Sequence, residues 1–194
     1  MDKLPLPLFK SNLDRTVALY HAICIGSLDL IKQITDLPHL IAAIDEFNNF
    51  GDDHVKGGYF AGDEKAFAAS NFGGYVSPLI VAINNRNVES KHGMEIIQFL
   101  LDAGADPNTP DRFHRNLPLF VAASKGDHEL ASLLLDNKAD QFIYSIEGSL
   151  ILRDGSLRES HWKKWKLLVP LDAAMRGGYI ELAELLIERG EPST

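Results

Sequence analysis

The chain has 194 residues, of which 45% are hydrophobic and 24% charged, a composition typical of a soluble domain with a core of ordinary size. The formal net charge of -8 argues against a general affinity for nucleic acid or anionic membranes, because both require a surplus of Lys and Arg. The single cysteine, Cys24, cannot form an internal disulfide, and the first residues lack the apolar run of a signal peptide, so we expect a cytoplasmic protein.

One layout recurs along the chain: a short helix, a turn and a second helix. Four copies, numbered one to four below, are predicted near residues 13–35, 73–106, 111–140 and 165–190. In copy three, Pro118 suits the first helical position and Gly126 suits a left-handed helix end. Leu130, Leu133 and Leu134 then form one apolar stripe on the second helix. Because one helix pair cannot bury such a stripe, we expect a stacked all-α solenoid that makes residues 1–194 a single domain.

The repeated motifs resemble ankyrin repeats. The resemblance lies in SPLIVA (77–82), LPLFVAASKGDHELASLLL (117–135), VPLDAAMRGGYIELAELLI (169–187) and the link LLDAGADPNTPD (100–111). Copies three and four match the family pattern well, copy two matches once an insertion is removed, and copy one keeps Leu19, Ala22, Gly26 and the helix that follows. The resemblance covers about 120 residues. It implies a concave surface with the first helices as its floor and the inter-repeat turns, called fingers, along one edge.

The sequence departs from the family pattern in its capping residues and its spacing. The capping Thr is Ser77 in copy two but Val17, Leu117 and Val169 elsewhere, which forgoes about 0.5–2 kcal/mol of N-cap stabilisation at each position. The matched leucines are separated by 60, 40 and 52 residues, where the family uses about 33. Insertions are therefore predicted at 36–72, 87–93 and 141–168. Most of the added chain falls in fingers, beside the binding surface that the resemblance implies.

The first insertion joins a predicted helix to an acidic, aromatic loop. Pro38 suits a helix start, with Leu40, Ile41, Ile44 and Phe47 as the apolar face. The stretch from 36 to 76 then has a charge of -5, from seven acidic residues (Asp36, Asp45, Glu46, Asp52, Asp53, Asp63 and Glu64) against Lys56 and Lys65. Two interpretations remain open: a flexible acidic loop whose rings pack on copy one, or an arm that wraps a basic partner with anchors such as Tyr59 and Phe60.

The last insertion carries the opposite charge and both tryptophans. Asp154-Gly155 between two apolar runs is a strong two-residue turn signal and predicts a β-hairpin that projects from the finger. The segment has a charge of +2, since Arg153, Arg158, Lys163, Lys164 and Lys166 outnumber Glu147, Asp154 and Glu159. Either the two insertions attract one another and the rings join the core, or Trp162 and Trp165 contact a partner, as Trp often does at interfaces.

The resemblance also implies binding positions on the floor and in the middle finger. The floor positions are Asn84, Asn85, Ser124, Lys125 and Arg176, and the finger is formed by Arg112, Phe113, His114 and Arg115. For each polar residue taken singly, an ordinary solvated side chain is the alternative. At the two ends of the stack, we expect Leu4, Leu6, Leu8 and Phe9 to cover copy one, and the acidic last helix, with Glu181, Glu184 and Glu188, to close copy four.

The sequence shows no catalytic or metal-binding pattern. The stretch from Asp102 resembles a calcium loop, but Gly104 and Phe113 occupy positions that need oxygen ligands. No zinc spacing, phosphate-binding loop or serine elbow is present, and Cys24 is interpreted as a buried or half-covered small residue. We therefore expect no enzyme, metal or cofactor, and a monomer in the absence of a partner.

These observations favour a non-catalytic domain that grips a folded protein partner. The acidic charge, the short length and the enlarged fingers suit a stoichiometric inhibitor, such as an immunity protein for a toxin or enzyme. An effector or scaffold that recruits another protein without inhibiting it is the main alternative. An enzyme whose site lies in the insertions is the third hypothesis, and no constellation of acid, base or nucleophile supports it.

Overall fold

The computed structural model describes residues 12–34, 36–50, 77–86, 91–110, 116–143, 145–147 and 166–190. The bounds of its helices and strands are α1 Asn12–Cys24, α2 Leu28–Lys32, α3 Leu37–Phe50, α4 Pro78–Asn85, α5 Lys91–Asp102, α6 Pro118–Lys125, α7 His128–Asp136, β1 Ser145–Glu147, β2 Lys166–Leu168, α8 Pro170–Gly177 and α9 Ile180–Gly190. The described part is therefore mostly helical, and its helices pair in the predicted order.

The chain divides into two compact units, residues 1–106 and residues 107–194. In the first unit, α1 packs against α2, α3 and α4, while α5 packs against α2 and α4. Copies one and two are thus stacked side by side, with Leu19, Ile31, Leu79 and Ile97 fully buried between their helices. The Lys32 ammonium also lies 5.6 Å from the centre of the Phe99 ring and links the two second helices.

The second unit repeats this arrangement with copies three and four. Helix α6 packs against α7 and α8, α9 packs against α7 and α8, and β2 contacts α8. The predicted stripe lies at this interface, where Leu130 and Leu134 are buried. Stacking is therefore observed within each unit, whereas one continuous domain of four copies stays a prediction.

The first helix begins earlier than the repeat pattern indicates. Helix α1 starts at Asn12, so Val17 lies inside the helix and does not occupy a capping position. Thr16 is buried whereas Val17 is partly exposed, which places the neighbouring residue, not Val17, on the core side. The assignment of Val17 as the counterpart of the capping Thr was therefore wrong, because the chain forms further helical turns before the matched segment.

The other helix starts follow the chemistry of their capping residues. Ser77 Oγ accepts a hydrogen bond from the Leu79 backbone N–H at 3.3 Å, whereas Leu117 provides no side-chain cap. At Val169, which has no polar side-chain atom, the Asp172 carboxylate accepts a hydrogen bond from the Val169 N–H at 3.0 Å. In copy four, the carboxylate of Asp172 therefore provides part of the N-cap stabilisation that the Val169 side chain cannot provide.

The inserted helix predicted at Pro38 is present as α3. It begins at Leu37, and Leu40, Ile41 and Ile44 are all buried. The α3 side chains from residue 46 onward, including Phe47, and the acidic loop that follows up to residue 76 lie outside the described residues. The first insertion is therefore not a loop throughout, because its first part adds a helix to the core of the first unit.

The strand pair at the last insertion does not continue directly into the predicted turn. Strands β1 and β2 are antiparallel, and Ile146 pairs with Leu167. An uninterrupted ladder closed by a two-residue turn at Asp154-Gly155 would instead pair Ile146 with Lys163, four residues earlier than the observed partner. The residues between 148 and 165 lie outside the described part of the chain, so the hairpin finger stays a prediction.

Two left-handed glycines provide a matched test of the packing in the second unit. Gly126 and Gly178 end α6 and α8 with φ of 68° and 74°. A methyl group on Gly126 would overlap one edge of the Tyr179 ring, whose opposite edge is against Gly177, whereas a methyl group on Gly178 would meet nothing within 4 Å.

We expect Gly178→Ala to cost about 1–2 kcal/mol through its backbone conformation alone. Gly126→Ala should cost about 1–3 kcal/mol more, because the ring confined between two glycines cannot move away freely. Chemical denaturation measures both losses. Equal losses for the two variants would mean that the Tyr179 ring is not confined.

Candidate functional site

The floor positions in the first unit lie in the last turn of α4. Leu79, Ile80 and Ile83 point into the core, and the helical period leaves Asn84 and Asn85 exposed at the end of the helix. The Asn85 side-chain amide donates to the Val81 carbonyl at 2.9 Å and so satisfies one of the terminal carbonyl groups.

The floor positions in the second unit form a polar row on two neighbouring helices. Ser124 and Lys125 end α6, Arg176 lies near the end of α8, and all three are exposed. Ser124 and Arg176 are equivalent positions in consecutive copies, and α6 packs against α8. The Ser124 hydroxyl donates to the Val121 carbonyl at 2.9 Å. Lys125 and Arg176 are favourably placed, because cations stabilise the C-terminal turn of a helix.

A buried polar cluster in the first unit is absent from the predicted sites. Asp45 on α3 is only 4% exposed, and its Oδ2 accepts a hydrogen bond from the Asp106 backbone N–H at 3.0 Å. A hydrogen bond with the Ser77 side chain also favours the carboxylate, and Oδ1 has no partner among the described residues. The carboxyl therefore ties the inserted helix to the start of α4 and to the link after α5.

Burial controls the ionisation of this cluster. Loss of solvation raises the pKa of Asp45 to about 7, more than the hydrogen bonds from Asp106 and Ser77 lower it. The fully buried Tyr20 also has a raised pKa, first through burial and then through the nearby Asp45 carboxylate. Asp45 was counted with the acidic loop of the first insertion, and that assignment was wrong. A count of charges along the sequence cannot distinguish a core carboxyl from a solvated one.

A cavity of about 270 Å³ lies in the first unit, at the ends of α1 and α4 and the start of α5. Its lining combines apolar side chains such as Ile23 and Ile96 with Asn85, Arg86 and His92. Cys24 lines the same cavity and is exposed, so the expectation of a buried or half-covered cysteine was wrong. Ile23 occupies the core side of the last turn of α1, which leaves the next position outside.

Most of the predicted finger residues lie outside the described part of the chain. Lys166 is the first residue of β2, where its backbone pairs with Glu147. The others, whose placement is not described, are Tyr59, Phe60, Arg112, Phe113, His114, Arg115, Arg153, Arg158, Trp162, Lys163 and Trp165. The structure thus brings together the floor positions within each unit, and the finger residues stay predictions.

Among the described residues, no group of three or more His, Cys, Asp or Glu side chains is arranged to hold a metal ion. In the same part of the chain, no helix combines the length and the apolar character needed to span a bilayer. The polar side chains that the described floor positions offer are amides, a hydroxyl and single charges, which suit hydrogen bonding and ion pairing with a partner.

Comparisons with known proteins agree with the observed helix pairs. A family model described as ankyrin repeats, in three copies, matches residues 79–194, which is 116 of the 194 residues. The E3 ubiquitin-protein ligase KEG of Arabidopsis thaliana is similar to this chain, with 29% identity over 112 residues. That match covers 58% of this chain and 6% of the relative, so the chain corresponds to a small part of that protein.

Proposed function

Because the chain belongs to the ankyrin-repeat family, we propose that it grips one folded protein partner through the floor of its helix pairs and through its enlarged fingers. Ankyrin repeats are protein-interaction modules that are typically non-catalytic, so a binding role is the function that the family supports. Beyond binding as such, we propose which surface contacts the partner, what the insertions contribute and what binding does in the cell.

The observation that carries the proposal is the exposure of the predicted floor residues. Asn84, Asn85, Ser124, Lys125 and Arg176 are all exposed, at the ends of helices whose apolar residues are buried. The core does not need these side chains, since each lies beyond the last buried position of its helix. Lys125 and Arg176 in the second unit would suit acidic side chains on a partner.

The enlarged fingers would add a second set of contacts. We propose that the last insertion forms a β-hairpin finger, in which Trp162 and Trp165 act as anchors and the neighbouring cations orient the partner. The acidic, aromatic part of the first insertion, with Tyr59 and Phe60, would contact a basic region of the same partner. Opposite charges on the two insertions would favour one orientation over the others.

The proposed biological role is stoichiometric inhibition in the cytoplasm, by an immunity or inhibitor protein that is monomeric until it meets its target. The net charge of -8 and the predicted placement of most of the added chain in fingers support this role over a generic scaffold. A dedicated inhibitor needs a large surface shaped for one target, and inserted fingers supply such a surface.

Replacement of both Trp162 and Trp165 with alanine is expected to weaken partner binding at least tenfold, or about 1.4 kcal/mol. The melting temperature should change little, because the proposal places these rings at the interface. Isothermal titration calorimetry and thermal denaturation measure the two quantities. A steep fall in melting temperature would instead place the rings in the core, and the hypothesis that they bind a partner would be wrong.

Co-purification from the native cell, followed by reconstitution, tests the whole proposal. The expected result is a complex with one dominant protein, and a Lys125→Ala, Arg176→Ala variant should bind it more weakly. If the partner is an enzyme or toxin, one equivalent of the chain should abolish its activity. Full activity of the partner in a saturated complex would show recruitment in place of inhibition.

A further inference from the structure

The outer side of the last helix pair carries an unusual concentration of exposed apolar residues. Met175, Ile180 and Ile187 are 67%, 69% and 51% exposed. Seven large apolar side chains are exposed in the described part of the chain, and these three of them lie within one helix pair. Isolated apolar residues are normal on a surface, whereas a cluster within one helix pair indicates a contact surface.

The spacing in α9 separates this surface from the core of the unit. Leu182, Ala183 and Leu186 are buried on one side of the helix. Ile180, Glu184 and Ile187 follow at intervals of four and three residues, which places them on a different, common face. We call Met175, Ile180, Glu184 and Ile187 the end face. The apolar side chains of the end face do not contribute to the core, because Leu182, Ala183 and Leu186 form the core-facing side of α9.

Comparison of the two copies shows what kind of structure the end face can accept. Met175 occupies the position that corresponds to Ala123 in copy three, and Ala123 is fully buried where α6 packs against α8. Ile187 corresponds to Leu135, which is partly covered. Met175 and Ile187 therefore lie on the side on which copy three receives another helix pair, whereas Ile180 corresponds to His128, which is exposed in copy three. Met175 differs from Ala123 in being long and adaptable, which suits a partner that does not approach as closely.

The charges on α9 restrict the chemistry of the partner. Glu184 lies between Ile180 and Ile187, and Glu181 and Glu188 are exposed on the same helix. Arg189, the basic residue of the last turn, pairs with Asp136 of α7 at 2.9 Å. Within the described residues, no ion pair is recorded for Glu181, Glu184 or Glu188. Two copies of this chain meeting through their end faces would bring like charges together, which is unfavourable.

We propose that the end face binds a basic amphipathic helix of another protein. Apolar side chains of that helix would cover Met175, Ile180 and Ile187, and a Lys or Arg would lie opposite Glu184. Proteins commonly bind an amphipathic helix on an apolar surface. In copy three, the corresponding side packs against the helices of copy four. The end face is a different surface from the floor and finger positions, so it would allow a second partner to bind at the same time.

A pair of synthetic peptides tests the proposal with the full chain. One peptide of about 20 residues forms an amphipathic helix with a leucine face flanked by lysines, and the other carries glutamates in place of the lysines. Fluorescence anisotropy should show binding of the lysine peptide at least tenfold tighter than that of the glutamate peptide. The Ile180→Ser, Ile187→Ser variant should lose at least tenfold in affinity, and Glu184→Lys should reverse the peptide preference.

The chain provides a matched control in Ile25, which is 55% exposed and lies in the other unit. Ile25→Ser should leave peptide binding unchanged, and melting curves should confirm that each variant is folded. If the double variant is unfolded, Glu184→Lys decides the test alone, since it changes an exposed side chain. Equal affinity for both peptides, or an equal loss in Ile25→Ser, would overturn the proposal. Self-association of the wild type that the double variant loses, seen by sedimentation, would overturn it in favour of a second copy.

The results of the peptide-binding experiments do not depend on the proposed function. A Lys125→Ala, Arg176→Ala variant should bind the lysine peptide as the wild type does, even where it fails to bind the co-purified partner. Loss of peptide binding in that variant would place the peptide on the floor and would contradict a separate end face.

Discussion

Replacement of Leu134 with alanine is expected to lower the free energy of unfolding by about 2–5 kcal/mol. Leu134 is fully buried in α7, and α7 packs against α6 and α9. The substitution removes apolar contacts and leaves a cavity that the surrounding helices close only in part. Urea denaturation followed by circular dichroism measures the loss.

The matched control for this prediction is Ile187→Ala in the last helix. Ile187 is 51% exposed, so its truncation removes little buried area and should cost less than about 1 kcal/mol. A loss below about 0.5 kcal/mol for Leu134→Ala would mean that the stripe between copies three and four does not hold the second unit together.

Replacement of Asp45 with asparagine is expected to change the pH dependence of stability. In the unfolded chain this carboxyl loses its proton near pH 3.8, whereas in the folded protein burial raises its pKa to about 7. Between these values the folded state binds more protons than the unfolded state, so the wild type loses stability as the pH rises. A difference of about three pKa units corresponds to roughly 4 kcal/mol. The amide introduced by Asp45→Asn cannot ionise, and it keeps an oxygen that can accept from the Asp106 N–H.

Urea denaturation of both proteins from pH 4.5 to pH 8 isolates this effect. The stability of Asp45→Asn relative to the wild type should increase by up to roughly 3 kcal/mol across that range, since all other titrating groups are shared. Asp45→Ala serves as the comparison, because it also removes the acceptor for the Asp106 N–H and should cost about 1–3 kcal/mol more than Asp45→Asn. Parallel pH profiles for Asp45→Asn and the wild type would show that Asp45 has an ordinary pKa.

The helix pairs of the second unit were predictable because local chemistry specifies them. Pro118 begins α6, Gly126 ends it in a left-handed conformation, and Leu130 and Leu134 are buried as the stripe predicts. The same reasoning located α3 from Pro38 and its apolar spacing. Val17 was misplaced because the repeat pattern marks a common register and does not mark the first turn of a longer helix.

The candidate site was predictable where a residue's exposure follows from helical period. Asn84, Ser124 and Arg176 lie after the last buried position of their helices, and the period alone puts them outside. The prediction for Cys24 was wrong, because its apolar neighbours in the sequence suggested that Cys24 is buried as well. The end face was also missed, since the acidic residues in α9 suggested a polar cover and the sequence does not show that Met175 of α8 is exposed.

The sequence by itself determined the helix pairs, their turns and the family, because capping, glycine conformation and apolar period act over a few residues. Tertiary structure alone decided the state of Asp45, whose pKa depends on burial by segments distant in the chain. It also decided that Met175 is exposed where Ala123 is buried, since exposure depends on which helix pair packs against each copy. These properties arise from contacts between segments, and contacts of that kind leave no local pattern in the sequence.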